Sequence, residues 1–412
     1  MTALERRASF SLASIFALRM LGLFLVLPVF ALQARAYPGG DDAALVGLAL
    51  GIYGLTQGIL QIPFGMASDR FGRKRVILLG LLVFAVGSFV AALADSLTGL
   101  IVGRSLQGAG AVSAAVTALL ADQTRDAVRT KAMALVGSSI ALMFALSLVV
   151  APVLVGVMGL PGLFVLTGVL TLGGMAVVRW WVPPEPPLVP VARGSLAEVL
   201  RHPALLRLYL GVFVLHAVQL AMWVAIPALL VAAGLPDAAH WQVYLPAVLA
   251  SFGVMAISLF PLERRGYLRA VFLAAIGVIA LVQLGLWWLA WYMPGNSNAG
   301  SAALWGLALL LFVFFCGFNV LEASQPSLAS RVAPAHARGA ALGVYNTLQS
   351  LGFFVGGWCG GALVKSAGMP ALFAVCGVAM GVWLLLAWPM RQPGLPQALA
   401  PEQPKPGAAQ TA

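Results

Sequence analysis

The chain has 412 residues, 61% of them apolar by type and only 9% charged, with a mean hydropathy of +0.97. A soluble domain carries about 25% charged residues, so this composition excludes a soluble enzyme, a secreted scaffold and a disordered chain. The net charge of +11 does not point to nucleic acid, because the basic residues stand in short loops between apolar runs.

A membrane-spanning helix takes about 20 apolar residues, and runs of that kind follow one another along the whole chain. Arg6 and Arg7 precede the first, at 10–34. Ala34-Arg35-Ala36 could pass for a cleavage site, but the run is too long for a signal peptide and holds Arg19, which favours a retained first helix. Five more runs follow at 44–66, 76–95, 99–121, 132–158 and 160–182. A second set lies at 204–233, 241–262, 270–293, 304–328, 340–366 and 370–390. Between the sets, 183–203 is Pro-rich and polar and reads as a linker, with a short surface helix near Ser195–Leu200. The expected organisation is a six-helix bundle at 1–182, the linker, a second bundle at 204–390 and a disordered tail at 391–412. Cys316, Cys359 and Cys376 fall inside apolar runs without a C-x-x-C pair and read as packing residues.

Lys and Arg are distributed unevenly over the loops. With the N-terminus inside, twenty fall on the inner side and only Arg35 and Lys365 on the outer, while Arg19 and Arg104 lie within spans. That bias predicts cytoplasmic termini and a cytoplasmic linker. The two halves also echo each other. Asp69-Arg70-Phe71-Gly72 after span 2 has a counterpart in Glu263-Arg264-Arg265-Gly266 after span 8. Internal repeats across a linker are a common build for secondary transporters, with substrate bound between the halves.

The sharpest string runs from Gly65 through Asp69, Arg70, Gly72 and Arg73 to Arg75. Basic residues alone would anchor a loop at lipid headgroups, but Asp69 and the two glycines need another reason. The string resembles the major facilitator superfamily signature G-x-x-x-D-R-x-G-R-[RK], with every fixed position met between spans 2 and 3. Gly103-Arg104 with Gln107-Gly108 resembles that family's span-4 motif. An Arg in the apolar slab costs about 2.5–3.5 kcal/mol on the lenient insertion scale, so it should face a cavity or a partner. Ser147–Gly156 keeps only Pro152 and the last Gly of the family's span-5 antiporter motif, with Ser147, Ala151 and Val155 in place of glycines. Further strings, Ala17-Leu18-Arg19-Met20-Leu21-Gly22, Gly317–Ala323 and Gly343–Thr347, are similar to the YajR-type drug:proton antiporters. That type often carries an extra soluble C-terminal domain, which is not assigned to this chain.

The resemblance implies an all-α fold of twelve transmembrane helices in two pseudo-symmetric bundles, with the first helix of each three-helix unit lining a central cavity. It implies proton-coupled efflux of small, largely apolar or drug-like compounds across a bacterial inner membrane. Protons, lipid and a small molecule would be the partners, with no cofactor, metal or nucleic acid. Export of a sugar or other metabolite, or a transport-inactive sensor, would suit the same fold. Glu322 is the only acid well inside a span, and with His216 and Arg104 it forms the expected proton-coupling set. Arg19, Tyr53, Gln57, Gln61, Gln219, Trp223, Asn319, Tyr345, Asn346 and Gln349 suit a mostly apolar cavity with a few orienting polar groups. By the resemblance, Gly65, Asp69, Arg70, Gly72, Arg73 and Asp122 form a conformational latch. Asp69 would sit against the start of span 11 near Gly339, and Arg73 would pair with Asp122. No paired carboxylates, H-x-x-H cluster, phosphate loop or serine–histidine pairing stands in a water-facing segment, so the chain reads as a non-enzyme.

Overall fold

The computed structural model describes residues 1–185, 196–293 and 300–390. Among the described residues every regular element is a helix. A backbone in lipid has no water to satisfy its polar groups, so a spanning segment must close its hydrogen bonds internally. Spans 1 to 3 are Ala3–Gln33, Ala43–Phe71 and Arg73–Ala92. Spans 7 to 10 are Pro203–Ala232, Trp241–Arg264, Leu268–Tyr292 and Gly300–Val332. A short helix, Leu196–Arg201, precedes span 7. The rest of the expected linker (186–195) and the tail (391–412) lie outside the described residues.

Nine described helices are long and apolar enough to cross a membrane, against twelve predicted spans. Three backbone breaks account for the difference. Asp126–Ala176 runs on for 51 residues but holds Gly159 at φ 64°, and Arg338–Ala387 holds Gly368 at φ 80°. A helix of about 50 residues would be about 75 Å long, against about 30 Å of hydrocarbon, so each run is two spans meeting at a turn. Both turns read Gly-x-Pro: Gly159-Leu160-Pro161 and Gly368-Met369-Pro370. Glycine takes the left-handed conformation without a Cβ clash, and proline starts the next helix, where its missing N–H is not needed. Span 4 divides at Gly110 into Leu97–Ala109 and Ser113–Asp122, each too short to cross alone. The chain therefore crosses twelve times, in two six-helix bundles. An even number of crossings brings both ends to one face, the terminal face.

The bundles repeat each other in contacts as well as in sequence. Lys74 Nζ, at the start of span 3, donates to the Val182 carbonyl at 2.7 Å, just past span 6. Arg269, at the start of span 9, donates to the Trp388 carbonyl at 2.6 Å, just past span 12. The ion pairs at this face do not follow the repeat: Arg73 and Asp122 join spans 3 and 4 at 3.0 Å, while Glu263 and Arg331 join spans 8 and 10, the counterparts of 2 and 4, at 2.6 Å.

At the far face the halves are pressed together. Spans 2 and 11 touch backbone to backbone: a Cβ at Gly357 would lie 2.6 Å from the Gly47 carbonyl, and one at Gly51 2.7 Å from the Phe354 carbonyl. Small residues are what allow such an approach. Lys365 and Asp42 pair across the same seam at 2.7 Å. Further in, Phe144 meets Phe24 (5.1 Å between centroids), Trp223 (6.5 Å) and Phe315 (6.2 Å), and Trp223 meets Tyr244 (5.2 Å). This aromatic layer roofs the centre of the molecule. Toward the terminal face, by contrast, a Cβ at Gly339 or Gly343 of span 11 would meet nothing within 4 Å. The molecule is closed at the far face and open at the terminal face.

The Asp42–Lys365 pair makes that closure sensitive to acid. Lys365 donates to Asp42 and holds its carboxyl below the usual carboxylate range. A depressed carboxylate contributes at neutral pH and loses its contribution as pH falls through the lowered value. Both side chains are partly exposed, so the effect is small and screened by salt. Asp42→Asn should raise the labelling rate of a cysteine placed at Val46 at neutral pH and flatten its acid dependence. An unchanged rate would mean that the glycine seam alone closes the far face.

Candidate functional site

Two polar centres lie at mid-depth under the aromatic roof, one in each half. The first is built on span 7, where His216 is 1% exposed. Its Nδ1 lies 2.8 Å from the Val212 carbonyl, one turn back. A carbonyl can only accept, so Nδ1 carries the hydrogen and Nε2 is left to act. Nε2 faces two groups: Gln349 Nε2 of span 11 at 2.7 Å and Glu322 Oε2 of span 10 at 3.1 Å. Gln349 also reaches Glu322 Oε1 at 3.4 Å. The rings of Phe353 (4.9 Å) and Phe318 (6.0 Å) enclose the imidazole edge-on.

This geometry allows alternatives that exclude each other. When unprotonated, Nε2 accepts from Gln349, and Glu322 Oε2 is buried with no hydrogen-bond partner. When a proton sits between Nε2 and Oε2, it joins the imidazole to the carboxyl. The Glu322 side chain as a whole is 42% exposed. One carboxyl oxygen thus lies against a buried histidine while the side chain meets the open cavity, which suits proton exchange between water and an enclosed acceptor.

The second centre belongs to the N-terminal half. Arg19 of span 1 is 1% exposed. Its Nη2 donates to Tyr53 Oη at 2.7 Å and Gln57 Oε1 at 3.1 Å, and its Nη1 donates to Ser113 Oγ at 3.0 Å. Nε is buried without an acceptor, and the guanidinium stands 5.4 Å from the Phe84 ring centre. Gln57 then donates to Ser350 Oγ of span 11 at 3.1 Å. Ser350 follows Gln349 in the chain, so one turn of span 11 touches both centres.

Other expected site residues are placed differently. Arg104 is not part of the Glu322 centre. It donates to the Ala49 (3.4 Å) and Leu50 (3.3 Å) carbonyls and to Gln107 Oε1 (3.0 Å), with its guanidinium 5.1 Å from the Tyr53 ring centre. These bonds tie span 4 to span 2, and none of them reaches Glu322 or His216. Asp122 pairs with Arg73. Arg70 is exposed beside the Phe71 ring, away from the Arg73 pairs. Asp69 pairs with Arg73, but no atom lies within 4 Å of a Cβ at Gly339, so the expected seat of Asp69 there is not formed in this conformation. Gly65 would accept a Cβ in ordinary contact with Ala114, whereas Gly72, at φ 99°, needs glycine for the turn between spans 2 and 3.

Among the cavity residues, Trp223 belongs to the aromatic roof, and Gln219 shares with it a small apolar void also lined by Tyr244 and Phe315. Asn319 Nδ2 donates to Ser251 Oγ of span 8 at 2.8 Å. Tyr345 lies at 3.5 Å from Gln325 Oε1, and the Asn346 carbonyl accepts from Ser350. Gln61 is buried with both amide atoms unpartnered. Cys316, Cys359 and Cys376 are free thiols.

Several contacts were not readable in advance. Glu185 accepts from the backbone N–H of Arg73 at 2.7 Å, capping span 3 from the start of the linker. Glu5 binds Arg125 through both oxygens, at 2.7 and 3.2 Å. Ser113 and Ser350 give no sequence signal, because lone serines in apolar runs are commonplace.

The Major Facilitator Superfamily family model matches residues 12–357 and 309–411. The chain belongs to the major facilitator superfamily. It is 41% identical to the inner membrane transport protein YajR of Escherichia coli over 98% of this chain and 87% of that protein. It is 27% identical to the multidrug resistance protein MdtH of Cronobacter sakazakii, covering 93% of this chain and 94% of that one. Among solved structures, the POT family transporter PepTSo superposes with a TM-score of 0.74 over 93% of this chain and 96% of its own, at 16% identity. The fold is thus that of an integral membrane transporter of small molecules, and not of an enzyme.

Proposed function

We propose that the protein is a proton-coupled exporter of small, largely apolar compounds, working by alternating access in a bacterial inner membrane with its terminal face in the cytoplasm. The observation that carries this reading is the contact between His216 Nε2 and Glu322 Oε2 at 3.1 Å, under an aromatic roof and next to an open cavity. An exchanger needs one group that holds either a proton or the substrate's charge. Protonated, Glu322 is neutral and the cavity can close. Deprotonated, it carries a charge that costs several kcal/mol to enclose unless His216 or a cationic ligand offsets it. The excess of Lys and Arg in the terminal-face loops supports the orientation. Multidrug resistance in the name of one full-length relative supports efflux.

Purified protein in proteoliposomes, given a pH gradient and a panel of small aromatic cations and neutral aromatics, tests this directly. Movement of at least one compound against its own gradient, abolished by a protonophore, is expected. No gradient-dependent movement across the panel would favour a sensor that kept the fold.

The loop between spans 2 and 3 has a role in the opposite state. With the far face open, the halves meet at the terminal face, and Asp69 reaches the start of span 11 near Gly339. A carboxylate at a helix N-terminus contributes about 0.3–1 kcal/mol when exposed and up to about 2 when partly buried. Asp69→Asn should therefore shift the population toward the terminal-open state and slow transport without loss of folding. Spin-label distances across the terminal face measure that shift, and an unaltered distribution would rule the latch out.

A further inference from the structure

The N-terminal half carries two guanidinium groups buried within spans, while Glu5, its buried carboxylate among the described residues, is taken up by Arg125 at the terminal face. Arg19 and Arg104 are each 1% exposed, and both use Tyr53: Arg19 through its hydroxyl at 2.7 Å, Arg104 over its ring at 5.1 Å. Among the described residues no carboxylate lies within 4.0 Å of either. The acids of residues 1–182 are Glu5, Asp41, Asp42, Asp69, Asp95, Asp122 and Asp126, all at span ends or in loops. Arginine keeps its charge in a protein, and two like charges sharing one tyrosine at low dielectric raise a strong positive potential there. Arg104 has a neutral acceptor for each of its three nitrogens. Arg19 does not, because its Nε is buried without an acceptor. Its other acceptors, Ser113, Gln57 and Tyr53, are neutral oxygens, and the first two sit on side chains that can rotate away.

The opposite half presents the reverse sign at the same depth. Glu322 is the acid of the cavity, and the two centres are joined through Gln57–Ser350 and Gln349. We infer that the site takes an amphoteric ligand: an apolar, aromatic-sized body with an acidic group bound by Arg19 and an amine bound by Glu322. The inference rests on the proposed proton exchange and names the class of compound exchanged. The step balances. The ammonium arrives charged, and the proton it replaces leaves the Glu322 carboxyl for cavity water. The ligand carboxylate meanwhile neutralises Arg19, so the loaded site holds two ion pairs and no unmatched charge between them. The aromatic layer in which Phe144 meets Phe24, Phe315 and Trp223 would give such a body apolar contact.

Equilibrium binding to the purified full-length protein, with no pH gradient, separates this from the transport reading. The probes form a matched set: 4-(2-aminoethyl)benzoate, its benzamide, 4-ethylbenzoate and 4-ethylbenzamide. In the wild-type protein the aminoethylbenzoate should bind roughly tenfold or more tighter than its benzamide, since a charge-assisted bond is worth about 1.5–3 kcal/mol. Arg19→Gln should erase the advantage of the carboxylate while leaving that of the amine, and Glu322→Gln should do the reverse. Arg19→Lys should keep part of the carboxylate's advantage, which a purely structural Arg19 would not require. The wild-type comparison needs no variant, so misfolding of Arg19→Gln would not leave the matter open. Equal binding of acid and amide, or a carboxylate advantage that survives in Arg19→Gln, would overturn the proposal. Binding as expected without pH-driven movement of the same compound would retain the site and reject proton exchange.

Discussion

In proteoliposomes, Glu322→Gln should lose substrate transport driven by a pH gradient while retaining downhill exchange of substrate for substrate. The amide keeps the size of the carboxyl and can still donate to His216 Nε2, whose own hydrogen is fixed on Nδ1 by the Val212 carbonyl at 2.8 Å. What it cannot do is release a proton. The cavity would close with the amide as it closes over protonated Glu322, so rocking of the bundles should continue. Because an isosteric neutral group imitates one protonation state, the phenotype separates coupling from folding. Substrate should still bind, more weakly if it carries an amine, since an unsatisfied charge pair costs more than a neutral contact. Undiminished pH-driven transport by Glu322→Gln would remove coupling from this centre.

Gly357→Leu should hold the protein open at its far face. Closure there depends on spans 2 and 11 meeting backbone to backbone, with room for hydrogen only: a Cβ at Gly357 would also lie 2.8 Å from the Gly51 nitrogen. Those neighbours are helix backbone and cannot step aside as a flexible side chain would. Overpacking typically costs about 1–3 kcal/mol, and here it falls only on the far-closed state, because the helices part in the other. A difference of that size moves a two-state population about 5–150-fold. Labelling of a cysteine at Val46 should rise accordingly, and transport should fall while the melting temperature holds. Wild-type labelling and transport in Gly357→Leu would mean that the seam is not where the halves close.

Much of this was legible in the chain. The twelve runs, their division into sixes and the loop-borne charge followed from composition and spacing, because a lipid environment allows few backbone solutions. The repeat was legible at Asp69 and Glu263, yet its sharpest form, the paired Gly-x-Pro turns at Gly159 and Gly368, is structural. The reversals themselves were legible, since the apolar runs part between 158 and 160 and between 366 and 370, but the left-handed φ of the two glycines was not. The candidate site was half legible. Glu322, His216 and Arg19 stood out as charges at membrane depth, but spacing could not say which would meet. Arg104 looked equal to them, and only its backbone partners, Ala49 and Leu50, show it holding spans 2 and 4 together. Gln349 seemed one polar residue among many until it was found between His216 and Glu322. The seat of Asp69 near Gly339 depends on which face is open, and a sequence describes every state at once.

The most direct measurement is a count of protons released when a small aromatic amine, 4-(2-aminoethyl)benzamide, binds the purified protein. Calorimetric titration in buffers of different ionisation enthalpy provides that count at equilibrium, without a membrane or a gradient. Release of protons by the wild-type protein, and none by Glu322→Gln, is the expected result. Binding without release in the wild-type protein, or equal release in both, would contradict proton exchange at the Glu322–His216 centre.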